Sequence, residues 1–225
     1  MIPFLFLAAA TADPALVKRY DACVELTKSN PAEAVKVADQ WRLGGGGLPA
    51  RKCLGLAYVA QERWEPAAMS FEQAAHEAEI ERDGRAAEMW VLAGNAALAG
   101  DDASRARDYF DHALALPVLS PAMRGETYMD RARAQVAVNN LAAARTDLDE
   151  ALKLVPRDPM GWLLSATLAR RAGDKPRAEK DIAEAQRLAP NEEPIIAEAA
   201  AISRMGRAAP STPTTTAPAS PPTSR

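Results

Sequence analysis

Few side chains in this sequence are placed to do chemistry. There are two histidines, His76 and His112, and two cysteines, Cys23 and Cys53. Zinc needs three or four nitrogen, thiolate or carboxylate ligands at fixed spacing, and neither histidine has such a companion set, so both read as exposed helix positions and no metal is expected. The run Gly44 to Gly47 followed by Lys52 has the glycines of a phosphate loop. It lacks the order G-x-x-x-x-G-K-[ST] and does not join a strand to a helix, so it reads as a turn. G-x-S-x-G, H-E-x-x-H and a Cys–His pairing are absent. The acidic stretch Asp147-Leu148-Asp149-Glu150 reads as solvated charge on a helix. Catalytic residues and cofactors are therefore expected to be none. Catalysis would require titratable groups with strongly shifted pKa values converging in one concavity, for example on an envelope polymer.

The bulk composition points elsewhere. With 225 residues and 48% hydrophobic side chains the chain can bury a core, which excludes disorder throughout. Aromatic residues are only 5% and alanine is abundant, so small side chains must pack that core, which suits closely approaching helices. The net charge of -3 comes from interspersed acids and bases without a polybasic patch, so nucleic acid is not expected as a partner.

An internal repeat supplies the architecture. Stepping back 34 residues, Pro190 meets Pro156, Ala185 meets Ala151, Ile182 meets Leu148 and Ala178 meets Ala144. Upstream, Ala166 meets Ala132 and Trp162 meets Tyr128. Looser copies hold Trp90, Gly94, Ala106, Phe110 and Ala113, then Leu54, Gly55, Tyr58, Ala67, Phe71 and Ala74, and lastly Ala22, Ala34, Ala38 and Trp41. This pattern resembles the tetratricopeptide repeat. The resemblance implies an all-α, right-handed α-solenoid of about five helix pairs, with "PIIAEAAAISRMG" as a C-terminal capping helix. Small residues at 55, 94, 132 and 166 would let each first helix approach its second, and Pro156 and Pro190 would stop second helices. Asp13-Pro14, Asn30-Pro31, Ser120-Pro121 and Asp158-Pro159 read as helix starts, and Gly100 and Gly173 as ends of first helices. "EIERDGR" and "VLSPAMRG" lengthen two connections.

The chain divides into three segments on this reading. Residues 1–12 are apolar from Ile2 to Ala10 and end Ala10-Thr11-Ala12, which predicts a secretory signal despite the missing basic region. Residues 13–206 form the repeat domain. Residues 207–225, rich in Pro, Ser and Thr, cannot bury enough surface to order themselves. No run reaches the roughly 18 apolar residues that cross a bilayer. Export to a periplasmic or secreted location is thus expected, and the alternative is a cytoplasmic adaptor or co-chaperone that keeps the apolar segment.

Family resemblance also implies the function and its residues. First helices of such solenoids line a concave groove that holds a protein or peptide segment, and the groove-facing positions here are Arg19, Lys52, Asn95, Met129, Arg133, Thr167, Arg170 and Arg171. Their mixture suits a ligand with acidic and apolar groups. Some relatives clamp a C-terminal carboxylate with a Lys and two Asn. Here Asn95 has Val91 one turn earlier, where that clamp would place Lys. Self-association through the end repeats is a further mode open to such a solenoid. The architecture also makes Cys23 and Cys53 neighbours in the first two repeats, so export predicts a disulfide between them, with two small buried thiols as the alternative.

Overall fold

The computed structural model describes residues 13–205. Among them eleven α-helices follow one another with no strand: α1 Pro14–Ser29, α2 Pro31–Leu43, α3 Gly47–Val59, α4 Trp64–Glu81, α5 Ala86–Ala99, α6 Ala103–Ala115, α7 Pro121–Ala137, α8 Leu141–Leu154, α9 Pro159–Arg171, α10 Lys175–Leu188 and α11 Glu193–Ser203. Consecutive helices pack as five pairs, α1/α2 to α9/α10, which stack into a solenoid with α11 against the last pair. The segments 1–12 and 207–225 lie outside the described residues.

Local chemistry sets the helix boundaries. Asp13, Asn30, Ser120 and Asp158 each precede a proline and accept a hydrogen bond from a backbone N–H of the first turn, satisfying a donor the helix cannot pair internally. A second device recurs in the turns inside the pairs. Glu62, Asp101, Asn139 and Gly173 adopt left-handed backbone with φ of 55°, 61°, 59° and 77°. In each case the next residue's N–H reaches back to a carbonyl five positions earlier: Arg63 to Tyr58, Asp102 to Ala97, Asn140 to Gln135 and Asp174 to Ala169, at 2.7–2.9 Å. That closes the first helix with a Schellman turn. Asp102, Asn140 and Asp174 then cap the second helix through their side chains.

Each of the two lengthened connections is partly taken up by helix. "EIERDGR" extends α4 to 18 residues before left-handed Arg82 ends it with the same backward bond, Asp83 to Ala78 at 2.7 Å. In the second, α7 starts at Pro121, and the Arg124 guanidinium donates to the Leu114 and Leu116 carbonyls, both at 2.8 Å, where α6 leaves its own carbonyls unpaired.

The core is built on one side-chain exchange sixteen residues apart. Phe71 and Phe110 from α4 and α6 lie on the bare backbone of Gly55 and Gly94 in α3 and α5, so closely that a Cβ on either glycine would come within 2.5 Å of a ring carbon. Where the second helix carries a smaller Leu148 or Ile182, the first carries Ala132 or Ala166, and each pair shares a buried cluster. At the solenoid ends the devices differ. Cys23 in α1 and Cys53 in α3 are 2% and 0% exposed, their Cα atoms stand 6.2 Å apart and their sulfurs are joined. At the other end Ile195 and Ile202 of α11 are fully buried against Leu163, Ala166 and Ile182.

Size matching of this kind makes a direct prediction. Gly94→Ala overpacks the Phe110 site and lowers stability by about 1–3 kcal/mol, whereas Gly94→Ala with Phe110→Leu recreates the Ala132–Leu148 pair and recovers most of the loss. Urea unfolding of the four species in the cycle measures both terms.

Candidate peptide-binding groove

The eight first-helix residues singled out from the sequence divide into two sets of four. Arg19, Lys52, Asn95 and Arg170 are engaged within the fold. The Arg19 guanidinium lies 4.7 Å from the centre of the Trp41 ring, turned toward its own second helix. Lys52 pairs with Glu88 of α5 at 2.5 Å and stands 5.8 Å over the Tyr20 ring of α1. Burial raises the Tyr20 pKa, opposed by Lys52. Arg170 forms a two-point pair with Glu198 of α11, at 2.6 and 3.2 Å. Asn95 supports Asp130 of α7, whose pKa burial raises against the opposing effects of Arg133 and Asn95. The Lys52 and Arg170 contacts tie α1 to α3, α3 to α5 and α9 to α11. Of the basic groove positions, Lys52 and Arg170 are neutralised by carboxylates within the fold, and Arg133 is held by Asp130 at 2.5 Å.

Met129, Arg133, Thr167 and Arg171 converge instead on one cavity of roughly 530 Å³ between α7 and α9. At the start of α9 the helices are close, since a Cβ on Gly161 would lie 3.0 Å from Met129 Sδ. Toward their C-terminal halves the space opens. Its lining is mostly apolar: Met129, Leu148 and Leu168 are nearly buried, Val136 and Leu164 are half-buried, and Ala132 and Ala137 leave room. Met129 is thus part of the pocket lining, only 5% exposed, rather than a free surface contact. Arg133 and Arg171 are exposed at the pocket, and Arg171 has no ion-pair partner among the described residues. The polar groove positions of the sequence alternate with apolar ones that line the same cavity. Val136 beside Arg133, and Leu164 and Leu168 flanking Thr167, carry the same first-helix periodicity, which is the signal that identifies them.

Elsewhere the groups that might do chemistry are bound into packing. His76 and His112 are exposed, yet both rest on buried Trp90, one edge-on at 4.8 Å and one stacked at 4.6 Å, while Trp90 donates to Glu79 at 2.8 Å. The acidic stretch 147–150 is not uniformly solvated. Asp147 is 3% exposed and takes two hydrogen bonds from Arg131, at 2.8 and 2.6 Å, because it faces the first helix of its own pair. Burial works against the charge on Arg131, and Asp147 with Asp111 overcomes it, holding that guanidinium above its ordinary value. Asp149 pairs with Arg145 and Arg177. Gly44 to Gly47 form the α2–α3 turn, where a Cβ on Gly46 would strike Trp41. Among the described residues no group of three or more His, Cys, Asp or Glu is placed to hold a metal, and no helix is long and apolar enough to cross a membrane.

The sequence model of the tetratricopeptide repeat matches residues 54–121 and 129–193, more than half of the chain. The chain belongs to the tetratricopeptide repeat family. Its first helix pair falls outside the matched segments. No curated protein matches the sequence. Among solved structures, residues 41 to the end of MamA from Desulfovibrio magneticus RS-1 superpose with a TM-score of 0.66 at 14% identity, covering 81% of this chain and 99% of that one. YrrB, described as a tetratricopeptide repeat protein with an unusual peptide-binding site, gives 0.62 at 15% identity, covering 81% and 90%. At these identities the likeness is one of fold. In the pairing described above, α1, α3, α5, α7 and α9 are the first helices of the five pairs, and the cavity lies between the first helices of the fourth and fifth.

The buried pair beneath this region gives a test of what holds the repeat. Arg131→Ala leaves Asp147 without its partner and costs about 3–5 kcal/mol, and Arg131→Ala with Asp147→Ala costs less than the single change. Chemical denaturation of Arg131→Ala, Asp147→Ala and the double variant, beside the wild type, reads the coupling.

Proposed function

We propose that this protein is a non-catalytic scaffold that holds a peptide segment of a partner protein along its first-helix face, with the α7–α9 cavity as the anchoring point. The cavity carries this reading, because it joins an apolar lining to unpaired charge on the face where tetratricopeptide repeats present their first helices. Peptide binding in YrrB, a neighbour in fold, supports the same use of the surface. The mechanism is preorganisation: stacked repeats offer a formed groove, so ordering cost falls mainly on the incoming segment and affinities are modest.

A photo-cross-linking amino acid placed at Ala137, beside the cavity, is expected to trap a partner protein in the native cell, and the same group at Lys180 on α10 is not. Equal labelling from both positions, or none from Ala137, would overturn the groove reading.

We further propose that the protein works in an oxidising envelope compartment after losing residues 1–12. Support comes from the Ala10-Thr11-Ala12 pattern and from the buried approach of Cys23 to Cys53. The bond would close a loop across the two N-terminal repeats and is worth about 3–4 kcal/mol by loop-closure entropy. The intact mass of protein purified from its source without reductant should correspond to a chain starting at Asp13 and lighter by two hydrogens. A chain that keeps Ile2 to Ala12 with free thiols would make it a cytoplasmic adaptor.

A further inference from the structure

The chemistry of the groove specifies a ligand as well as a location, provided that the groove binds peptide as proposed. Charged side chains bridge three of the other steps on this face: Tyr20–Lys52 between α1 and α3, Lys52–Glu88 between α3 and α5, and Arg170–Glu198 between α9 and α11. The α7–α9 step has no such bridge among the described residues and is lined by Met129, Val136, Leu148, Leu164 and Leu168. Uncovered apolar surface beside a closed polar step favours an apolar group from outside, since burying a polar one there would leave it without a partner.

Charge narrows the occupant. Of the two cations at the cavity, Arg133 already spends its charge on Asp130, at 2.5 Å. Arg171, one helical turn after Thr167, meets no carboxylate among the described residues. An exposed guanidinium beside an apolar hollow complements an anion that arrives attached to an apolar group, and its planar fork suits a carboxylate. The volume of roughly 530 Å³ exceeds what one side chain needs and leaves space for adjoining backbone.

We infer that the α7–α9 cavity takes one large aliphatic or aromatic side chain of a partner peptide, with an internal Asp or Glu within two positions of it bound by Arg171. The cavity supplies most of the affinity and Arg171 the sign of the neighbouring charge. The carboxylate comes from a side chain, because the first-helix face continues past the cavity on both sides and lets the peptide run through.

Selection of random dodecapeptides displayed on phage, fused so that no free C-terminus is present, tests this with the full chain. The wild-type protein should enrich peptides that pair a large apolar residue with Asp or Glu. Arg171→Glu should retain the apolar preference and exchange the acid for Lys or Arg. A synthetic, amidated form of an enriched peptide should bind at least about tenfold more weakly to Arg171→Glu and to Thr167→Phe, which narrows the cavity, while the circular dichroism of both variants stays helical. Enriched peptides lacking the acidic partner, or bound equally by both variants, would overturn the inference. If such peptides were still lost on Asn95→Arg, the groove reading would survive without it. A protein that enriches no peptide would overturn both.

Discussion

The structure depends on how closely one helix of each pair can approach the other. A second-helix core residue, Phe71, Phe110, Leu148 or Ile182, sits on the first-helix residue sixteen positions earlier, and that residue is glycine under the phenylalanines and alanine under the aliphatics. The sum of the two volumes is thereby kept nearly constant from pair to pair. Stacking requires this, because each pair is a layer between two others and a thicker layer would misplace every contact on both faces. Alanine elsewhere in the chain has the same role: Ala67, Ala106, Ala144 and Ala178 are all fully buried where a larger side chain would hold the helices apart.

Close packing within pairs leaves the spacing between first helices to be settled by other means, and there polar groups take over. Lys52 of α3 reaches Glu88 of α5, and Arg170 of α9 reaches Glu198 of the capping helix α11. Between α7 and α9 no such bridge is present among the described residues; Leu164 and Leu168 pack toward Met129 and Ala132, and the helices come closest at Gly161. A cavity results where the polar ties stop. The pocket is thus a consequence of which residues occupy a few first-helix positions and not of any departure from the repeat.

Much of this architecture is legible in the sequence. A period that matches Ile182 with Leu148 and Ala166 with Ala132 specifies paired helices, and proline after Asp, Asn or Ser marks where several begin. The internal turns are less visible, because left-handed backbone is carried by Glu62, Asp101 and Asn139 as well as by Gly173. Periodicity also assigns Met129, Arg133, Thr167 and Arg171 to first helices, where they line one cavity. It does not reveal that Lys52 is spent on Glu88, 36 residues away, or that Asp147 is buried under Arg131, since such pairings depend on the rotation of one helix against the next. Charge read along a chain counts groups, whereas charge left over for a ligand is known only after internal pairs are subtracted.

That subtraction also explains why the ends of the solenoid differ from its middle. An internal repeat buries its stripe against two neighbours, but the first has only one, and α1 contributes few residues to the core: Cys23 and Thr27 are its buried positions. Its packing against α3 is correspondingly concentrated at Cys23 and Cys53, whose sulfurs are joined. At the other end the same deficit is met noncovalently, by Ile195 and Ile202 of α11 and by the Glu198–Arg170 pair. Both solutions hold a terminal first helix against its neighbour, so the cavity between α7 and α9 lies within a frame fixed at each end by a different bond type.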